Sequence, residues 1–230
     1  MPKWVTAAEA AALIPDGASI MVGGFMGCRS PHRILGELAN LGTKNLTLIC
    51  NDGGMPSGPS GEPLYGVAKL LANRQVKKMY GTHVGLNPEV AKQMNEGFLD
   101  VSLVPQGSFV EMIRAYGAGL GGVLTPTGLG TIIEQAAHVH SVVEIDGKKY
   151  LLERPLGADF CLICGYKVDK AGNIWYKGTT RNFSEAMATA AATVIVEADN
   201  VVELGGIPPE DVVTPGMLVD YVVDGGRQDG

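Results

Sequence analysis

The stretch Ala18-Ser-Ile-Met-Val-Gly-Gly-Phe-Met-Gly-Cys-Arg-Ser-Pro31 decides the fold. Residues 18–22 form an apolar run of strand length, which the pair Gly23-Gly24 interrupts. Ser30 and Pro31 then supply an N-cap and a first-turn proline for a helix that we expect to continue to about residue 41. The order of strand, glycine loop and helix is typical of an α/β protein.

The same alternation continues on both sides of this stretch. Upstream, Thr6 and Glu9 fit a capping box for a short opening helix. Downstream, apolar runs predict strands over residues 45–50, 76–80 and 99–104, and helical patterns cover 63–72, the segment from 87, and 105–116. Strands that alternate with helices of about ten residues indicate a parallel sheet covered by helices on both faces.

The second half departs from this pattern. Residues 142–145 and 148–152 flank Asp146-Gly147, which is typical of a tight β-hairpin. A turn over 170–173, a helix over 184–192, a strand over 193–197 and an apolar segment over 214–223 follow. We therefore predict one domain over residues 1–230: an open, mostly parallel α/β sheet with helices on both faces and a β-hairpin elaboration in the second half.

Composition and charge argue against several classes of protein. The chain has 230 residues, of which 46% are hydrophobic, so it is long enough to bury a full core. No stretch approaches the roughly 18 apolar residues of a membrane span. The formal net charge is −6, and no basic cluster is present. We expect a cytoplasmic protein with neither a membrane nor a nucleic acid as its partner.

Two of the cysteines form a C-x-x-C pair, Cys161 and Cys164, which is compatible with zinc or redox chemistry. No second pair and no paired histidines complete a metal set. Residues 158–165 instead have the pattern of a buried apolar strand, in which free cysteine packs as a small hydrophobe. We predict no metal site.

Three loops are predicted to follow strands and to lie at the edge of the sheet where ligands bind in open α/β folds. They cover residues 23–29, 51–54 and 105–107. The first allows backbone N–H groups to approach an anion or a thioester oxygen closely, although a tight turn between strand and helix explains the same glycines. Its spacing, G-G-x-x-G, is neither the dinucleotide fingerprint nor a P-loop, so neither NAD nor ATP is favoured.

Several separated blocks, in order, resemble the alpha subunit of family I CoA-transferases, and the similarity is closest to acetate or butyrate:acetoacetate CoA-transferases. The blocks are residues 16–31, 45–52, 81–88, 104–107, 117–131, 181–183 and 213–216. They cover the chain nearly from end to end. An ordered set of this kind is far more specific than one glycine loop.

The resemblance implies a ping-pong reaction through a glutamyl-CoA thioester, with the nucleophilic glutamate on a beta subunit. That glutamate lies in a Ser-Glu-Asn-Gly stretch in the family, and this chain has none. Glu111 and Glu134 have the pattern of helix-surface residues, and Glu153 and Glu197 that of strand-end residues. We therefore predict no catalytic nucleophile here, CoA as a substrate without a permanently bound cofactor, and a heterodimer or heterotetramer with the beta subunit.

The resemblance also transfers site residues. The proposed CoA-binding loop matches Gly23, Gly24, Phe25, Met26, Gly27, Cys28 and Arg29. The substrate pocket matches Asn51, Asp52, Gln106 and Gly107, with Thr125, Thr127 and Gly128 as a further wall. The amides of Asn51 and Gln106 can donate to a carbonyl or carboxylate oxygen, although capping of their own loops explains them too.

Arg29 departs from the family pattern, which has glycine at this position, and the segments 53–66 and 135–140 depart from it as well. An arginine there can pair with a CoA phosphate or a second substrate carboxylate, or it can face solvent. The expected reaction moves CoA between acetoacetyl-CoA, butyryl-CoA or acetyl-CoA and an acid such as acetate or acetoacetate. The alternatives are a non-catalytic CoA- or acyl-binding module and, more distantly, a relative of sugar-phosphate isomerases or translation factors.

Overall fold

The structure is a computed structural model that describes residues 1–226, so residues 227–230 of the predicted domain lie outside the described residues. Its strands are β1 (Lys3–Val5), β2 (Ser19–Val22), β3 (Leu46–Ile49), β4 (Met55–Ser57), β5 (Pro63–Tyr65), β6 (Val76–Gly81), β7 (Asp100–Leu103), β8 (Val123–Thr125), β9 (Val139–Ile145), β10 (Lys148–Glu153), β11 (Ala158–Asp169), β12 (Ile174–Trp175), β13 (Ala191–Val202) and β14 (Tyr221–Asp224).

The α-helices are α1 (Ala7–Ala12), α2 (His32–Leu41), α3 (Ala68–Ala72), α4 (Pro88–Asn95), α5 (Gln106–Gly117) and α6 (Ser184–Ala188). Short 3₁₀ turns cover Ile132–Gln135, Gly178–Arg181, Pro209–Asp211 and Gly216–Leu218. None of the helices within residues 1–226 is both long enough and apolar enough to span a bilayer.

The main sheet confirms the predicted α/β architecture. Its order is β1-β14-β13-β11-β2-β3-β6-β7, and these neighbours pair in parallel. Strand β12 pairs antiparallel with the end of β11. From β2 the chain first moves outward through β3, β6 and β7, and later strands fill the other side of β2. The strand order therefore reverses at β2, which is where open α/β sheets form their ligand crevice.

The sheet is covered on both faces because its strands alternate between two cores. Ile20 of β2 packs in a core that α1, α2, α3 and α4 cover. Its neighbour Met21 packs in the core that contains Phe109 of α5 and Met187 of α6. Successive side chains of a strand point to opposite faces, so one strand contributes to both cores.

The predicted capping box at Thr6 and Glu9 is confirmed, but the predicted cap of α2 is wrong. Pro31 occupies the N-cap position of α2 without a side-chain hydrogen bond, and the Ser30 hydroxyl donates to the Gly23 carbonyl at 3.0 Å. The Glu197 carboxylate of β13 instead accepts the N–H groups of Arg33 and Ile34, each at 3.0 Å. A distant strand therefore supplies the cap that the sequence placed locally.

The single helix predicted over 63–72 is also wrong. Strand β5 pairs antiparallel with β4, and Leu64 has a φ of 54° that no helix contains. Helix α3 begins only at Ala68, after Gly66 turns the chain with a φ of 66°. The resulting β4–β5 hairpin is an insertion between β3 and β6.

Several predicted element boundaries in the second half of the chain also differ from the structure. The strand predicted over 193–197 extends from Ala191 to Val202, because β11 pairs with it from residue 191 to residue 202. Helix α6 ends at Ala188 instead of 192, and the apolar segment 214–223 divides into a 3₁₀ turn and β14.

The predicted hairpin elaboration is confirmed. Asp146 and Gly147 connect β9 to β10 with φ values of 51° and 75°, the pair of positive angles that a two-residue hairpin favours. Strand β8 adds to β10, so a separate three-stranded antiparallel sheet forms in the order β8-β10-β9. The predicted turn over 170–173 connects β11 to β12.

Candidate active site

The glycine loop begins where β2 ends. The Gly23 N–H donates to the Leu162 carbonyl of β11 at 2.9 Å, so the loop starts against the neighbouring strand. Gly24 has a φ of 103°, and a Cβ there would lie 2.5 Å from Ser30 Oγ and 2.8 Å from the Cys28 carbonyl oxygen. Phe25 and Met26 at the tip of the loop are partly exposed, at 40% and 38% of their surfaces. The glycines therefore allow a compact turn with an apolar tip.

Asp52 joins this loop to the next one. One carboxylate oxygen accepts the Met26 N–H at 2.8 Å, and the other accepts the Gly54 N–H at 2.8 Å. Its side chain is nearly inaccessible, with 4% of the residue exposed. Asp52 thus holds the glycine loop and the loop after β3 in a fixed relation.

Asn51 lies between the glycine loop, Asn182 and the start of α5, a region that we call the crevice, and 1% of its surface is exposed. Its amide nitrogen donates to the Gly24 carbonyl at 3.1 Å and to Asn182 Oδ1 at 2.6 Å. Its amide oxygen accepts from Gln106 Nε2 at 3.4 Å. Both N–H groups of Asn51 are therefore used inside the protein, and the amide is held by groups from three loops.

Gln106 and Gly107 form the exposed start of α5. The helix has no side-chain cap, so the N–H groups of its first turn keep their capacity to donate to a ligand. The Gln106 amide uses one N–H toward Asn51, which leaves the other available. This is the set of donors that the crevice can direct at a developing negative charge.

The further wall predicted at Thr125, Thr127 and Gly128 lies at and just after the end of β8. Thr125 ends β8 in the separate antiparallel sheet, and its hydroxyl accepts the Thr127 N–H at 3.2 Å. Gly128 lies beside Ile133 and Leu151. Within residues 1–226, the hydrogen bonds of this segment are local, and none reaches the loops that carry Asn51 or Gly24.

A cleft of about 660 Å³ opens beside the glycine loop, and we call it the Arg29 cleft. Its walls come from the loop, from α2 and α3, and from the β4–β5 hairpin, and they include Cys28, Arg29, His32, Glu62, Tyr65 and Lys69. Tyr65 stacks on His32 with ring centroids 4.2 Å apart. Burial lowers the pKa of His32, and its Nε2 donates to the Gly27 carbonyl at 2.8 Å. The volume lies within the usual range for small-molecule sites.

Arg29 contacts side chains of the main-sheet strands β11 and β13. It has a φ of 53°, pairs with the Asp199 carboxylate, and lies over the Tyr166 ring at 5.7 Å. Cys164 Sγ donates to the same carboxylate at 3.4 Å. Burial raises the pKa of Asp199, although the Arg29 charge opposes this effect. The Arg29 side chain is mostly buried, so the alternative that it faces solvent is wrong.

Two of the four glutamates considered from the sequence are buried. Glu153 and Glu197 have 0% and 1% of their surfaces exposed. Glu197 lies within β13 and caps α2, so its prediction as a strand-end residue is wrong, whereas Glu153 does end β10. Glu111 pairs with Arg114 on α5, and Glu134 lies in the 3₁₀ turn near the antiparallel sheet.

Sequence reasoning missed several residues that the fold brings to the crevice. Glu62 lines the Arg29 cleft, where its carboxylate accepts the Ser60 N–H at 2.9 Å. Asn182 contacts Asn51, and Ser184 is buried against Gly23. Residues 181–183, which include Asn182, form one of the blocks that resemble the family, but nothing in that block indicated proximity to Asn51. The C-x-x-C pair is buried and free, as predicted, whereas Cys28 is exposed.

Comparison with known proteins agrees with this geometry. Residues 4–225 match the profile of the family described as Coenzyme A transferase. The chain is 49% identical over 208 residues to the acetoacetyl-CoA:acetate/butyrate CoA transferase alpha subunit of Clostridium acetobutylicum, covering 90% of this chain and 91% of that protein. It is 42% identical over 221 residues to the acetate CoA-transferase subunit alpha of Escherichia coli, covering 96% of each.

Two solved structures share the fold. The acyl-CoA transferase YdiF of E. coli O157:H7, in a thioester complex with CoA, has a TM-score of 0.83 at 22% identity. The match covers 97% of this chain and 47% of that longer one. Glutaconate coenzyme A-transferase of Acidaminococcus fermentans has a TM-score of 0.79 at 20% identity, covering 96% of this chain and 75% of that one. With its glycine loop at the strand reversal and a family match over residues 4–225, this chain belongs to the Coenzyme A transferase family.

Proposed function

We propose that this chain is the alpha subunit of a cytoplasmic, heteromeric CoA-transferase, which exchanges CoA between a short-chain acyl-CoA and a small carboxylic acid. The observation that carries the proposal is the set of uncharged donors at the crevice, namely the Gln106 amide and the uncapped N–H groups at the start of α5. The names of the Clostridium and E. coli relatives support an alpha role and acetoacetyl-CoA, butyrate and acetate as the substrate range. CoA is a substrate in this proposal, and no cofactor is held permanently.

The reaction begins with a glutamate carboxylate of the partner subunit. It attacks the thioester carbonyl carbon, the CoA thiolate leaves, and an acyl-glutamyl anhydride remains. The thiolate then attacks the glutamyl carbonyl, which releases the first acid and leaves a glutamyl-CoA thioester. An acceptor carboxylate repeats the two steps in reverse, so that atoms and charge balance.

This chain contributes donors to each attack. Negative charge develops on a carbonyl oxygen, and one well-placed donor at such an oxygen is worth about 3 kcal/mol. The Gln106 amide, the N–H groups at the start of α5 and the glycine loop are the available donors. Asn51 and Asp52 hold these elements in fixed positions relative to one another, because their own hydrogen bonds lie within the protein.

Co-expression with the gene for the beta subunit tests the proposal. CoA exchange from acetoacetyl-CoA or butyryl-CoA to acetate is measured for the complex and for each chain alone. We expect activity in the complex only, with a thioester that hydroxylamine or borohydride traps on the partner. Activity from this chain alone, or a trapped thioester on it, would refute the proposal.

The variant Glu62→Gln sharpens the same experiment, because Glu62 is the carboxylate that lines the Arg29 cleft. If the nucleophile lies on the partner, the variant complex still forms the partner thioester and keeps kcat within about threefold. A thioester that is trapped on this chain in the wild-type complex and is absent from Glu62→Gln would make Glu62 the nucleophile. CoA binding by this chain without any exchange in the complex would favour the non-catalytic module instead.

A further inference from the structure

Asn182 has an unusual backbone conformation beside the crevice. It connects the 3₁₀ turn Gly178–Arg181 to α6, with φ of 45° and ψ of −131°. Residues with a Cβ rarely adopt a positive φ together with a strongly negative ψ, a combination that glycine tolerates. Such strained conformations persist where the surroundings require them, often at functional sites.

The surroundings of Asn182 tie three elements of the crevice together. Its Oδ1 accepts from Asn51 Nδ2 at 2.6 Å and from the Phe183 N–H at 2.8 Å. Phe183 packs against Phe109 of α5 with ring centroids 5.8 Å apart. Ser184 Oγ is buried, has no hydrogen-bond partner within the described residues, and lies where a Cβ on Gly23 would come within 2.7 Å.

These contacts determine which way the amides face. A backbone N–H can only donate, so the Phe183 N–H requires oxygen at its neighbour and thereby sets Asn182 Oδ1 toward Asn51. Asn51 must then present its NH₂ group to Asn182, and its contact with the Gly24 carbonyl demands the same orientation. The Asn51 oxygen consequently faces Gln106, whose NH₂ group is the donor.

We propose that Asn182 is a positioning residue, which acts with the Gly24 carbonyl to orient the Asn51 amide and holds the Asn51–Gln106 pair in place through a strained backbone. The catalytic part of this inference rests on the proposed function. Asn182 contacts Asn51 and the Phe183 N–H just before α6. Its effect on the substrate therefore passes through Asn51 to Gln106. In the observed backbone conformation, Oδ1 reaches both donors.

The variant Asn182→Gly tests the inference because it removes the acceptor and relieves the strain. We expect the complex to keep or raise its Tm, while kcat falls about 10- to 100-fold and KM for the acyl-CoA stays within about twofold. Asn182→Asp, which retains both acceptor contacts, is expected to recover most of kcat. Asn45→Gly is the matched control, because Asn45 has a φ of 58° on the exposed surface away from the crevice.

A double-variant cycle separates positioning from a general structural role. If Asn182 acts through Gln106, adding Asn182→Gly to Gln106→Ala lowers kcat by less than about threefold further. Full additivity, an unchanged kcat in Asn182→Gly, or a loss confined to Tm and KM would each overturn the inference. An inactive wild-type complex would instead refute the proposed function.

A crystal structure of the Asn182→Gly complex decides the positioning step independently of activity. We expect the Asn51 amide to shift, so that the 3.4 Å contact with Gln106 is lost. An Asn51–Gln106 pair that stays in place in this variant would overturn the inference.

Discussion

Gly24 lies at the tightest corner of the glycine loop, where backbone freedom and space both matter. Its φ of 103° disfavours side chains, and the Ser30 hydroxyl and the Cys28 carbonyl occupy the place of a Cβ. Ser30 is in turn bound to the Gly23 carbonyl. A side chain at this position would therefore disturb both the loop and the start of α2.

The variant Gly24→Ala should destabilise the chain by about 3–5 kcal/mol, because it adds a steric clash to a strained φ. The matched control is Gly61→Ala. Gly61 also has a positive φ, of 84°, but has open space around it, so only about 1–2 kcal/mol should be lost. Denaturant unfolding of both variants gives the measurement, and equal losses would show that the predicted contact is unimportant.

Among the secondary-structure elements, α2 depends on a partner that is far away in sequence. Its first N–H groups are accepted by Glu197 in β13, since neither Ser30 nor Pro31 caps it. A carboxylate at a helix N-terminus is favourable, but this one is almost completely buried. Burial raises the pKa of Glu197 to about 7, while its N–H partners oppose the rise.

This pKa predicts how stability depends on pH. Between about pH 4.5 and 7 the folded chain retains the Glu197 proton that the unfolded chain has released. The free energy of unfolding therefore decreases as the pH rises through this window, by up to about 3 kcal/mol, and the contribution is constant at higher pH. The variant Glu197→Gln should lack this contribution.

The measurement is denaturant unfolding of the wild type and the variant from pH 4.5 to 8. The difference between their free energies of unfolding should change across the window and level off above it. The control Glu210→Gln removes an exposed carboxylate and should leave the pH dependence nearly unchanged. A Glu197→Gln profile parallel to the wild type would contradict the prediction.

At the scale of the whole molecule, burial divides the cysteines into accessible and protected sets. Cys28 is exposed in the Arg29 cleft, whereas Cys50, Cys161 and Cys164 are buried. Burial raises the pKa of each buried thiol well above its usual value. Since thiolates are the reactive species, the buried cysteines should react only when the fold opens.

Thiol labelling of the native chain should therefore modify Cys28 rapidly and the other three only at the rate of global or subglobal opening. In denaturant, all four cysteines should react. Mass spectrometry after brief labelling identifies the modified residue, and Cys28→Ser provides the background. Rapid native labelling of Cys161 or Cys164 would contradict the burial of these side chains.

The sequence by itself determined the α/β alternation, the glycine loop, the hairpin at Asp146-Gly147 and the family. These depend on local periodicity, on turn chemistry and on ordered blocks, which are all visible along one chain. The predicted element boundaries are wrong where tertiary pairing decides them, as in the β4–β5 hairpin that replaces part of a predicted helix.

Only the tertiary structure decided which side chains meet. The Glu197 cap of α2, the Arg29–Asp199 pair and the contact of Asn51 with Asn182 join residues more than one hundred positions apart. Their proximity follows from the strand order, which places β11 and β13 on the opposite side of β2 from β3. Strand order arises from the packing of both faces at once, and no local pattern records it. The loops could therefore be located from the sequence, while the network that holds their donors in place could not.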